Sequence, residues 1–182
     1  VLKQTGSEKK TAAASPGFSG HMVFWSVAVG GLGLDLWSKA AVFSWLQRRH
    51  PTGFDLVNGL VRLVAVQNAG AAFGIASGRR VLLIAVSAVA VAAVVVIFLF
   101  RSRARILLQA ALGLFFAGVC GNLYDRLFNG GFVRDFIDVV YWPGRHWPAF
   151  NVADSMLCAA VGLLVIEGLR DGRHKAVEGS SQ

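Results

Sequence analysis

Four stretches of the chain stay predominantly apolar for about twenty residues, the length a helix needs to cross the hydrocarbon core of a bilayer. They cover residues 23–43, 80–100, 106–123 and 152–169, the second being a nearly unbroken run of Val, Ala, Leu and Ile. Between the first two, residues 54–75 are rich in β-branched side chains with partial alternation, which predicts one or two short strands. Between the last two, Asn129-Gly130-Gly131 signals a turn. Trp142, Pro143, Trp147 and Pro148 follow it, and tryptophans there suit the headgroup layer. The pattern predicts an all-α membrane protein: four transmembrane helices with a small extracytoplasmic β-rich cradle. Residues 1–22 are polar or small and are expected to be a disordered tail, native or added ahead of a native start at Met22. Residues 23–169 are expected to form one membrane domain, and residues 170–182 a disordered cytoplasmic tail.

Composition supports this reading. Of 182 residues, 55% are hydrophobic and 15% charged, against about 25% charged in a soluble domain. The net charge of +8 would raise nucleic-acid binding in a soluble protein. In a membrane protein it marks basic loops attracted to anionic headgroups, and no nucleic-acid partner is expected. Lys3, Lys9 and Lys10, then Arg101, Arg103 and Arg105, then Arg170, Arg173 and Lys175 fall on one side of a four-span topology. That side is expected to be cytoplasmic. The opposite loops also carry arginines, so the bias is one of density. Cys120 and Cys158 have neither metal-site nor disulfide spacing and read as small apolar residues.

Charges in or beside spans are costly and therefore informative. Asp35 and Lys39 stand four apart on the first span and can pair, as a structural ion pair or as support for a site. Asn68-Ala-Gly-Ala-Ala-Phe-Gly74 closes the first outer loop, with glycines that allow close backbone approach or simply a turn. Gly121-Asn-Leu-Tyr-Asp-Arg126 ends the third span: Asp125 and Arg126 can mark the water boundary, while Asn122 lies a turn deeper and needs a partner. Asp135 is flanked by Val133 and Phe136, whereas Asp138 reads as ordinary surface charge. Asp154 falls in the first turn of the fourth span, where helix capping alone would account for it. Taken together, Asn68, Asn122, Asp135, Asn151 and Asp154 fall on one membrane face. No nucleophile elbow or phosphate loop is present. What remains is paired-carboxylate chemistry.

Five segments resemble those of the bacterial lipoprotein signal peptidases (signal peptidase II, aspartyl peptidase family A8): residues 35–39, 68–74, 121–126, 131–138 and 150–155, in the same order, within a resemblance spanning residues 24–169. The Asn-x-Gly-x-Ala-Phe-Gly and Phe-Asn-x-Ala-Asp-Ser segments are the most specific. The resemblance implies a catalytic dyad of Asp135 and Asp154. It implies that Asn68 and Arg126 contact substrate backbone or inhibitor, and that Asn122 and Asn151 support the dyad. Asp35, Lys39, Gly70, Phe73, Val133, Phe150 and Ala153 match further structural or site-lining positions. It implies a diacylglyceryl-prolipoprotein substrate cut before its lipid-bearing cysteine, cyclic-peptide inhibitors such as globomycin, and a monomer with no metal or organic cofactor in the bacterial inner membrane, its active site near the outer face. Arg134 departs from the family, which usually has a small apolar residue there, and its side chain is expected to point away from the dyad.

Two close carboxylates cannot both ionise easily, so such a pair would share a proton and activate a water. A small transporter or proton-relay protein, a scaffold whose acids only cap helices, and an inactive family member are the competing readings.

Overall fold

A computed structural model describes residues 18–70, 78–101 and 105–179 of the chain. In chain order the elements are α1 (Phe18–Arg49), β1 (Phe54–Val57), β2 (Val61–Asn68), α2 (Arg80–Arg101), α3 (Ile106–Phe128), β3 (Val133–Trp142), β4 (Arg145–Phe150) and α4 (Val152–Gly179).

Three of the helices, α2, α3 and α4, are long and apolar enough to cross a membrane. Their lipid-type faces are plain: Val81, Val86, Val89, Val96 and Leu99 on α2, and Val161, Val165, Ile166 and Leu169 on α4, are all exposed. Such an apolar surface is stable only against hydrocarbon or another apolar partner. In α1, Asp35, Ser38 and Lys39 interrupt the apolar run, but all three are buried within the protein. The molecule is thus a membrane protein, with four helices and one sheet among the described residues.

Helix α3 is the centre, packing against α1, α2 and α4. Small residues allow the close approach. Gly113, Ala117 and Gly121 recur every four residues, and they meet Phe24 and Val27, Gly31, and Asp35 of α1 in turn. Gly118 faces α4: a Cβ there would lie 2.7 Å from the Ala153 carbonyl oxygen and 2.7 Å from Leu157 Cγ. Phe24, Ala28, Val94, Phe98 and Leu112 join α1, α2 and α3 in one core cluster, with Phe24 stacked on Phe98 at 4.1 Å between ring centroids. A second cluster of Ala117, Ala153 and Met156 joins α3 to α4.

The sheet is an antiparallel meander in the order β1-β2-β3-β4. Strands β1 and β2 meet the expectation for the first outer loop. Strands β3 and β4 were not placed from sequence, where the second loop reads as a turn with interfacial tryptophans. In β3, Val133, Asp135, Ile137 and Val139 alternate with residues of the opposite face, but a carboxylate among the apolar positions blurs the two-residue period. In β4, Pro148 argues against a strand and is tolerated at this edge position.

Three boundaries differ from expectation. Helix α1 starts at Phe18, inside the expected tail, and runs beyond Phe43 to Arg49. Helix α3 continues to Phe128, so Asp125 and Arg126 lie within it, both buried, rather than marking a water boundary. Helix α4 continues to Gly179, where a disordered tail is expected. Once nucleated, a helix gains one hydrogen bond per added residue, and the Arg, Lys, Glu and Ala after Leu169 are good helix formers. Residues 1–17 and 180–182 of the expected tails, together with Phe73 and Gly74 of the second segment and Arg103 of the basic connection, lie outside the described residues.

The glycine seam predicts its own sensitivity. Gly118→Val should lower stability by roughly 1–3 kcal/mol through overpacking against the α4 backbone. The check is thermal unfolding in detergent, where a variant as stable as the parent would show that α3 and α4 are not in this contact.

Candidate active site

The meander brings β3 beside β2, and β4 leads through the single residue Asn151 into α4. Asp135 therefore sits on a strand flanked by Asn68 of β2, while Asp154 lies in the first turn of the next helix. Asn151 is bonded to both. Its side-chain Nδ2 donates to Asp135 Oδ1 at 2.7 Å, and its backbone N–H donates to Asp154 Oδ2 at 3.1 Å. In return, the Asp154 backbone N–H donates to Asn151 Oδ1 at 3.0 Å. The reciprocal pair is a capping box, so the helix-cap reading of Asp154 holds. Capping uses only one of its oxygens, and Oδ1 accepts from Asn122 Nδ2 at 2.8 Å.

Three asparagines aim amide N–H groups at the two carboxylates, and each is oriented by a group that can only donate. The Lys39 ammonium donates to Asn122 Oδ1 at 3.0 Å, which turns the Asn122 amino group to Asp154. The Asp154 backbone N–H holds Asn151 Oδ1, which turns that amino group to Asp135. The Gly70 backbone N–H donates to Asn68 Oδ1 at 2.8 Å, leaving Asn68 Nδ2 to donate to Asp135 Oδ2 at 3.0 Å. A reversed amide in any of them would set donor against donor. Asn151 Nδ2 also reaches Asn122 Oδ1 at 3.1 Å, joining the two halves.

Beneath this layer lies a buried ionic network. Lys39 Nζ meets Asp35 Oδ2 at 2.8 Å and Asp125 Oδ2 at 3.5 Å, with all three side chains wholly buried. Asp35 Oδ1 accepts the Ala153 backbone N–H at 2.9 Å, so α1 anchors the first turn of α4. Asp125 is also held by Arg134, through its backbone N–H at 2.9 Å and its guanidinium at 2.6 Å. The Arg134 side chain is thus engaged by Asp125. Arg126 Nη2 donates to the Gly70 carbonyl at 3.1 Å, tying α3 to the loop after β2.

Asp135 and Asp154 both line a cavity of about 720 Å³, with Asn68, Gly70, Asn122, Arg126 and Val133 at its polar end. Trp147, Pro148, Ala149 and Phe150 of β4 form a rim. Val86, Ser87 and Ala90 of α2, Val119 of α3, and Leu157 and Cys158 of α4 form an apolar wall. Of the residues expected at the site, Asn68, Gly70, Asn122, Arg126, Val133, Asp135, Phe150 and Asp154 line the cavity, while Asn151, Asp35, Lys39 and Ala153 stand behind it. The α2 wall and Cys158 were not anticipated. Cys158 is signalled by its place one helical turn after Asp154; α2 has no polar residue to give it away except Ser87. Among the described residues, no group of His, Cys, Asp or Glu side chains is arranged to hold a metal ion.

Burial pushes the Asp135 carboxyl up from its ordinary value of 3.8 to about 6, with the nearby Asp154 charge adding to the rise. The amides of Asn68 and Asn151 and the Lys39 charge oppose this without overcoming it. Between the unfolded and folded values the native state binds more protons, so this group's favourable contribution is complete below about pH 4 and is lost as pH rises through about 6. The loss amounts to about 3 kcal/mol at most. In detergent, Asp135→Asn should therefore gain stability relative to the parent as pH is raised from 4 to 7. A difference in unfolding temperature that stays flat across that range would contradict the buried, proton-holding carboxyl.

With this geometry in place, the likeness to known proteins becomes specific. The model of the Signal peptidase (SPase) II family, Peptidase_A8, matches residues 27–170. A lipoprotein signal peptidase of Geobacter sulfurreducens is 38% identical over 159 residues, covering 86% of this chain and 97% of that protein. One from Syntrophomonas wolfei is 41% identical over 155 residues, covering 85% and 97% respectively. A bacterial membrane enzyme structure solved by the in meso method superimposes with a TM-score of 0.75 at 28% identity, over 88% of this chain and 94% of that one. A match across most of the chain places this protein in the signal peptidase II family of aspartic peptidases.

Proposed function

We propose that the chain removes signal peptides from diacylglyceryl-modified prolipoproteins, cutting before the lipid-bearing cysteine, with Asp135 and Asp154 as its catalytic dyad. The observation that carries this reading is Asn151, whose side chain and backbone hold both carboxylates at the polar end of a cavity whose other wall is apolar. The pair shares one proton. The ionised member takes a proton from a bound water, and the water attacks the scissile carbonyl. The protonated member donates towards the carbonyl oxygen and then to the leaving amine. Burial at the sheet–helix junction strengthens the coupling between the acids. Asn68 and Arg126, at the same end of the cavity, engage the substrate backbone. Asn122 and Asn151 hold the carboxylates in register, and the Asp35–Lys39 pair fixes Asn122 and the start of α4.

The apolar wall suits the substrate's chemistry. Helices α2 and α4 each pack on α3, and all three line the cavity. A lipid-anchored peptide reaches the dyad between α2 and α4 without leaving the bilayer. In this reading α1 is the fourth span, its charges paired with each other and held by α3 and the first turn of α4. Both termini are cytoplasmic, and the sheet and dyad lie at the outer face. The enzyme works as a monomer and is blocked by cyclic peptides of the globomycin kind.

Two measurements test the assignment. Asp135→Asn and Asp154→Asn should each lower cleavage of a diacylated prolipoprotein at least about a thousandfold, while the protein stays folded in detergent. Substantial activity in either would remove the dyad. Cys158 is exposed on the cavity wall one turn from Asp154. A bound prolipoprotein or cyclic-peptide inhibitor should slow its alkylation by an apolar maleimide, read by peptide mass mapping. Unprotected modification would place the substrate elsewhere.

A further inference from the structure

Asp138 reads as ordinary surface charge in the sequence, yet it is buried, with 8% of its surface exposed. It stands three residues after Asp135 on β3, so alternation places it on the opposite face of the sheet from the dyad. There it belongs to a row of polar side chains that crosses every strand. Asp55 of β1 pairs with Arg62 of β2 at 2.7 Å, Arg62 lies opposite Asp138 in the register, and Asp138 meets His146 Nδ1 of β4 at 2.9 Å.

The last of these contacts falls beside an irregularity in the backbone ladder. The β3–β4 register slips between the pairs Ile137–Phe150 and Val139–Trp147, leaving an extra residue on β4. Pro148, within that bulge, has no N–H to give. The bulged stretch Trp147–Phe150 is also the cavity rim. Across that bulge the ladder is irregular, and His146, immediately before Trp147, adds a side-chain bond to β3.

We propose that His146, through Asp138, is a positioning residue for substrate binding: it holds the β4 rim at the distance from Asp135 that an extended peptide requires. The inference rests on the reading of the Asp135–Asp154 cavity as the peptidase site. A rim that touches the substrate equally before and during reaction alters binding and leaves the chemical step alone.

The test uses the full chain in detergent–lipid micelles with a diacylglyceryl prolipoprotein. His146→Ala should raise KM about five- to tenfold, the scale of one lost hydrogen bond, with kcat within about twofold. His146→Gln, whose amide can still donate to Asp138, should recover most of the loss. The same substitutions in the Asp135→Asn background should weaken prolipoprotein binding by the same factor, which decides the matter without any cleavage. Unchanged KM and unchanged binding in His146→Ala would overturn the proposal. So would a fall in kcat and unfolding temperature with KM intact, which would make the pair merely structural. Failure of the parent chain to cleave, or cleavage by Asp135→Asn, would instead count against the peptidase reading.

Discussion

The whole site hangs on one buried ammonium. Lys39 is a group with three donors and no acceptor, and three oxygens meet it: one each from Asp35, Asn122 and Asp125. Leaving such a charge unpaired in a membrane protein would cost several kcal/mol, so its partners are strongly constrained. Each partner anchors a different part of the fold. Asp35 holds the first turn of α4 through Ala153, Asp125 holds β3 through Arg134, and Asn122 carries the constraint to Asp154. One side chain on α1 thus fixes the relative placement of the strand and the helix that carry the two acids.

The site also shows how helix capping and the placement of a cavity-lining carboxylate can share a residue. Asp154 completes a capping box with Asn151, satisfying main-chain groups that every helix start leaves open. The same bonds orient the Asn151 amide towards Asp135. Helix initiation and the alignment of the two carboxylates share one set of hydrogen bonds. The asparagines add no charge, which leaves burial free to raise Asp135. A cation in direct contact would have had the opposite effect, and the nearest arginine in sequence, Arg134, is engaged by Asp125 instead.

Much of the fold was legible in residue order. Three apolar runs of membrane-crossing length and the first strand pair follow from period and composition. The charged segments 35–39, 121–126 and 150–155 stood out because ionisable and amide groups beside apolar helices are expensive. The sheet of the second outer loop was less legible. Asp135 occupies a position that alternation assigns to an apolar side chain, and Pro148 sits where a strand usually excludes it. Helix ends were hidden for a related reason: Asp125 looks like a helix terminus until Lys39 and Arg134, remote in sequence, neutralise it inside.

By itself, the sequence determined that the protein belongs in a bilayer, and it singled out the acids and amides that the fold gathers at one cavity. Those conclusions depend on composition, local spacing and motif, all written along the chain. Only the tertiary structure decided which way each asparagine amide faces, that Asp138 is buried against His146, and that an apolar wall from α2 completes the cavity. These depend on groups far apart in sequence meeting in space. A hydrogen-bond direction or a burial is a property of the meeting, and neither partner carries it alone.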